Sequence, residues 1–247
     1  MKLITKYQSS NFNFRSNSNI SIIIIHYTSL RNEYEAINYL CNPKNKVSSH
    51  YLISQKGQIF SLVNNKFRAW HAGRSKWNDE LDINSISIGI ELDFSYDFSN
   101  NKYSVKMIKS LNDLIENLIN KYNINKNNIL AHSDVAPYRK IDPGHKFPWH
   151  KINSLKIKNN KFHLLKINLL NQWLSKHNFI TTKRKVLFIL KYIGYDVSKA
   201  QIYKKSYNKL ILAYKSRYLQ NDFNSIVDEK MLSFLKLHLV TLILTKY

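Results

Sequence analysis

Against a typical ~150 residues per domain, the 247-residue chain has room for one large domain or one with a small companion, and its 44% hydrophobic and 13% aromatic content with four Pro and five Gly excludes collagen-like, linker-like and wholly disordered classes. A single cysteine, Cys41, excludes a disulfide framework and a cysteine-built zinc finger, so any metal must be held by His, Asp or Glu. The formal charge of +22 accompanies 31 Lys, 30 Asn and 29 Ile but only seven Arg, a bias toward AT-rich codons that gives no separate argument for a nucleic-acid partner.

The first 19 residues are polar, with Lys2, Lys6 and Arg15 and no apolar stretch of the kind a secretory signal needs. That predicts a cytoplasmic location, with the periplasm as the alternative if the native start is missing or export is unconventional. No stretch reaches the ~18 apolar residues of a membrane span. From residue 20, Ile20-Ser21-Ile22-Ile23-Ile24-Ile25-His26 is short and β-branched, the pattern of a strand buried on both faces and ending at His26. Residues 32–40 read as a helix stopped by Pro43, and 49–54 with 58–63 as a hairpin turning at Lys56-Gly57. In 86–92, Ile86, Ile88, Ile90 and Leu92 take one face of a strand and Ser87, Gly89 and Glu91 the other. Ser104 caps a helix reaching residue 122, with Ile108, Leu111, Ile115 and Leu118 at helical spacing. A short strand over 129–131 delivers His132 into a turn-rich segment ending at His145. Strands alternating with helices predict an α/β core. Helical periodicity over 162–177, 182–193, 200–219 and 226–244, with no strand pattern, predicts a small all-helical module. The expected division is therefore a domain over 7–158 and a helical domain over 159–247.

His26, Glu91, His132 and Asp142 each fall at or just beyond a strand end, where an α/β sheet exposes functional side chains. Two His and one Asp form a nitrogen and oxygen donor set that leaves the fourth tetrahedral position of a zinc ion open, the arrangement of a catalytic rather than a structural site. The bland reading is that a histidine at a strand end is structural, and that Glu91 and Lys140 form a surface ion pair. His50, inside a strand, reads as a hydrogen-bonded interior residue. Trp70 and His71 are candidates for lining a substrate cleft, with simple packing as the alternative.

The segments Ile24-Ile25-His26-Tyr27-Thr28, Ser49-His50-Tyr51-Leu52-Ile53, Trp70-His71-Ala72-Gly73, Asn84 through Glu91, His132-Ser133-Asp134-Val135-Ala136-Pro137 and Lys140-Ile141-Asp142-Pro143-Gly144 occur in an order that resembles the bacterial zinc-dependent N-acetylmuramoyl-L-alanine amidases of the AmpD and AmiD type. The resemblance spans roughly residues 10 to 150. It implies an amidase fold with a central mixed β-sheet flanked by helices, Zn²⁺ held by His26, His132 and Asp142, Glu91 as the base that activates water, and Lys140 as the cation supporting the oxyanion. The implied activity is hydrolysis of the amide between N-acetylmuramic acid, or its anhydro form, and L-alanine of the peptidoglycan stem peptide. The implied partner is peptidoglycan or a muropeptide, not nucleic acid. A non-catalytic peptidoglycan-recognition module is the alternative. Ile193-Gly194-Tyr195-Asp196, the aromatic-rich 210–218 and Val227-Asp228-Glu229 resemble the peptidoglycan-binding helical domain that follows many AmiD-type amidases, departing from it in the lack of a glycine around 223–226.

Overall fold

The isoleucine run after Asn19 forms an interior strand of a sheet because β-branched side chains pack well on a pleated surface covered on both sides. The computed structural model describes residues 2–16, 19–153, 162–176 and 181–246. Its strands are β1 (Leu3–Ile4), β2 (Phe12–Phe14), β3 (Ile22–Tyr27), β4 (Tyr51–Ile53), β5 (Ile59–Ser61), β6 (Phe67–Ala69), β7 (Ser87–Leu92) and β8 (Ile129–Ala131). The helices are α1 (Glu33–Cys41), α2 (Ile83–Ile86), α3 (Val105–Tyr122), α4 (His132–Val135), α5 (Phe162–Lys176), α6 (Thr182–Ile193), α7 (Ser198–Ile202), α8 (Lys204–Tyr218) and α9 (Glu229–Lys246). Six strands make one sheet in the order β1-β5-β4-β7-β3-β8, mixed because only the β4–β5 hairpin is antiparallel, while β2 and β6 pair separately. This is the expected fold class, a central mixed sheet flanked by helices with further helices at the C-terminal end.

One face of the sheet, carrying Ile23, Ile25, Ile88, Ile90 and Leu92, packs on Met107, Leu111, Leu114 and Leu118 of α3. Helix α3 starts where expected, since the Ser104 hydroxyl accepts the Met107 N–H at 3.1 Å. The opposite face carries Ile22, Ile24 and Leu130, and its core runs without a break into Leu187 and Leu190 of α6, Leu210 and Tyr214 of α8, and Met231 and Leu235 of α9. The C-terminal helices thus share a core with the sheet. The expected boundary at 158/159 and the helix end at His177 lie outside the described residues.

Three differences from the sequence reading have physical causes. Strands β1, β2 and β6 are only two or three residues long, too short for an alternation to register. The helix expected over 200–219 is broken at Tyr203, whose extended backbone (φ −106°, ψ 126°) separates α7 from α8 without a Gly or Pro to mark the corner. The last helix begins at Glu229 rather than residue 226. Among the described residues, no helix is long and apolar enough to cross a membrane.

Candidate active site

Parallel pairing of β3 with β7 sets His26 beside Glu91 on the same face, and β8, pairing with β3 on its other side, ends one residue before His132. Side chains in register on adjacent parallel strands share a face, so the sheet itself converges these groups. The loop after α4 returns Asp142 to the same point. His26 Nδ1 is 2.9 Å from His132 Nδ1 and 3.1 Å from Asp142 Oδ2, and His132 Nδ1 is 2.9 Å from the same oxygen. All three side chains are buried. They open into a cavity of about 510 Å³ whose wall also includes Tyr27, His71, Glu91, Arg139 and Lys140.

The remaining hydrogen bonds fix which ring nitrogens carry protons. His132 Nε2 faces the carbonyl oxygen of Ala72 at 3.1 Å and must donate to it, leaving its Nδ1 as a lone pair. A second chain runs from His26 Nε2 to His71 Nδ1 (3.1 Å), from His71 Nε2 to Ser87 Oγ (3.3 Å) and from Ser87 Oγ to the Ile83 carbonyl (2.5 Å). The Ser87 hydroxyl has one proton and gives it to that carbonyl, so His71 donates from Nε2 and accepts at Nδ1. His26 then donates from Nε2, and its Nδ1 is also a lone pair. Burial, followed by the electrostatic effect of the adjacent His132 ring, pushes His26 down to about 4, and burial with the neighbouring His26 pushes His71 well below the usual range, so both rings are neutral. For Asp142, burial opposes ionisation, yet the interactions with His132 and His26 hold the carboxyl below its usual range. Two nitrogen lone pairs and a carboxylate oxygen therefore face one another at about 3 Å with no proton between them. Such a donor set needs a cation, and its composition fits a divalent ion such as zinc; among the described residues this is the cluster of His, Cys, Asp or Glu that could hold one.

Glu91 Oε2 is shielded and has no hydrogen-bond partner among the described residues. Burial, and after it the charge of Asp142, pushes its carboxyl up to about 8, with Lys140 opposing. A carboxyl raised in this way exchanges its proton close to neutral pH, the range of a general acid–base group. Lys140 lies in the same wall, its N–H bonded to the Ala136 carbonyl.

The family's sequence pattern, described as N-acetylmuramoyl-L-alanine amidase, matches residues 16–145, more than half of the chain. The chain belongs to that family. The Escherichia coli N-acetylmuramoyl-L-alanine amidase AmiD is 30% identical to it over 85% of this chain and 78% of its own length. The Haemophilus influenzae 1,6-anhydro-N-acetylmuramyl-L-alanine amidase AmpD is 36% identical over 58% of this chain and 87% of its own. In three dimensions, the complex of Escherichia coli AmiD with anhydro-N-acetylmuramic acid-L-Ala-D-gamma-Glu-L-Lys superimposes with a TM-score of 0.73 at 26% identity, covering 93% of this chain and 90% of that one. AmpDh3 from Pseudomonas aeruginosa, at 22% identity and a TM-score of 0.72, shares the fold.

The amidase brings together His26, Glu91, His132, Lys140 and Asp142. Of the two expected cleft residues, His71 lines the cavity and also bonds His26, whereas the Trp70 indole is directed to Asn13 Oδ1 at 2.5 Å and is not part of that wall. His50 is interior: its Nδ1 accepts the Gly89 N–H and its Nε2 faces Arg15 at 2.9 Å. His145 stacks between Tyr96 and Phe223. Sequence reasoning missed Ser87 and Asn84, whose Oδ1 accepts the N–H groups of His71 and Ala72, and Arg139, which donates to the Ala72 and Arg74 carbonyls. Only Ser87 and Asn84 fell inside a motif of the sequence reading, and nothing in their spacing signals the bonds.

Proposed function

We propose that this amidase, with zinc as its metal, cleaves the amide between the lactyl group of N-acetylmuramic acid, or its anhydro form, and the L-alanine of the stem peptide. The observation that carries the reading is the convergence of the His26 and His132 lone pairs and the Asp142 carboxylate in a cavity that also holds a proton acceptor and a lysine. His26, His132 and Asp142 would hold the ion, whose chemistry is to acidify water and polarise the amide carbonyl at neutral pH. Glu91 takes the proton of the attacking water and returns it to the departing alanine nitrogen. Lys140 places its positive charge beside the oxygen on which negative charge develops. His71 and the Ala72 carbonyl keep the two imidazoles in the tautomer that presents Nδ1. These residues belong to a catalytic part over 7–158, and the described helices of 159–247 cover the sheet face that carries Ile22 and Ile24.

The reading is tested by incubating the chain with anhydro-N-acetylmuramoyl peptide and with intact sacculi and following the release of peptides with a free L-alanine amino terminus. Release that stops on chelation and returns with zinc is expected. A chain that binds the muropeptide, holds zinc and releases nothing would instead be a recognition module.

A further inference from the structure

We infer that Arg217, contributed by the C-terminal helix α8, is a positioning residue of the metal site, acting through the buried carboxylate of Asp134. The inference rests on the proposed assignment of His132 and Asp142 as ligands. Asp134 is completely buried, two residues beyond His132, in the single turn of α4. Its Oδ2 accepts the N–H of Ala131 at 2.8 Å, pinning the residue before His132, and its Oδ1 accepts the Tyr195 hydroxyl at 2.5 Å. The Arg217 guanidinium completes the set, giving one Nη to Asp134 Oδ2 and the other to the Ile129 carbonyl at 2.6 Å. Arg217 itself is buried, and its guanidinium lies over the Trp149 ring at 4.6 Å.

The two arms of Arg217 thus tie the start of β8 to the turn that follows it, with His132 held between. The same turn reaches the third ligand, because the Ser133 N–H donates to the Asp142 carbonyl at 3.0 Å. A rotation of the 131–134 turn would therefore displace His132 and Asp142 together. A buried carboxylate stays in place only when its charge is matched, and among the described residues the cation that matches this one is Arg217, from outside the catalytic motifs. Tyr195 and Arg217 both belong to the C-terminal helical region, so that region helps set the ligand geometry.

The test uses the full chain, with zinc affinity read by competition with a chromophoric chelator and ligand geometry read from the visible spectrum of the cobalt-substituted protein. Arg217→Met is expected to weaken zinc by about 10- to 100-fold, the range for loss of a group that orients a metal ligand, to alter the cobalt spectrum, and to lower kcat with KM unchanged. Arg217→Lys, which keeps the charge but loses the second arm, is expected to lie between Arg217→Met and the parent. Leu235→Ala, a core truncation in α9 outside the set of groups that hydrogen-bond Asp134, should lower thermal stability while leaving zinc affinity and the cobalt spectrum at parental values below its melting temperature. Parental zinc affinity and spectrum in folded Arg217→Met would overturn the inference, as would an equal loss of zinc in Leu235→Ala. Should Arg217→Met fail to fold, Tyr195→Phe and Arg217→Lys read the same contact, and parental zinc affinity in both would overturn it. A parent chain that binds no zinc would fail the reading of the site itself, an outcome separate from these.

Discussion

At the scale of single residues, Glu91 and its neighbours divide the chemistry from the scaffold. Glu91→Gln keeps the shape and removes the proton acceptor, so turnover should fall by about 10² to 10⁴, the usual contribution of general acid–base catalysis, while metal analysis still finds zinc; loss of zinc in this variant would make Glu91 a ligand. The scarce arginines are also informative. In a chain with 31 Lys and seven Arg, Arg15, Arg68, Arg139 and Arg217 each engage two or more acceptor atoms: Arg15 four carbonyls, Arg68 both oxygens of Asp82, Arg139 two carbonyls, and Arg217 a carboxylate and a carbonyl. His238, buried in α9 against Tyr214, is pushed down to about 3 by burial and by the nearby Arg217. An unfolded histidine titrates near 6.5, so the unfolded chain binds the proton first, and the folded state loses stability progressively as pH falls from about 6.5 toward 3, by up to about 1.4 kcal/mol per pH unit. The acid slope of the melting temperature should therefore be shallower in His238→Gln than in the parent, and identical slopes would contradict the assignment.

At the scale of elements, β7 shows why a glycine occupies a strand interior. A Cβ on Gly89 would lie 2.4 Å from the His71 ring carbon Cγ, so Gly89 makes the room in which His71 bonds His26. Gly89→Ala should cost about 1–3 kcal/mol of stability, as overpacking of a core does, and loosen zinc as well, read by thermal melts and chelator competition. Ser104→Ala, by contrast, removes the cap of α3 on the far face and should cost about 1 kcal/mol with kcat and zinc affinity unchanged. The same elements show what was legible in the sequence. The strands that deliver His26 and His132, the face carrying Glu91 and the cap at Ser104 were readable, because β-branched runs, alternation and N-cap chemistry are local signals. The His71–Ser87–Ile83 relay was not, because its partners are joined only when β7 and the 70–74 loop meet in space. Nor was the corner at Tyr203, where periodicity continues across a change of direction.

At the scale of the whole molecule, periodicity finds the apolar stripe of a helix but not what covers it. The sequence suggests a helical module with its own core, whereas the structure places Leu187, Leu190, Tyr214 and Leu235 in one cluster with Ile22, Ile24 and Leu130 of the sheet. Removal of 159–247 would uncover that face and leave Asp134 without Arg217 and Tyr195. The fragment 7–158 should accordingly be aggregation-prone or poor in zinc, as judged by size-exclusion chromatography and metal analysis. A soluble fragment with the zinc affinity and muropeptide turnover of the full chain would instead make the helices an independent appendage.

In the proposed mechanism the two histidine lone pairs and the Asp142 carboxylate hold one zinc ion that the amidase needs for cleavage. The most direct measurement is a zinc titration of the metal-depleted full chain, following the appearance of free L-alanine amino termini from anhydro-N-acetylmuramoyl peptide. No release is expected without metal, and a rise that reaches its plateau at one zinc per chain; undiminished release from the metal-free protein would show that cleavage does not need the ion.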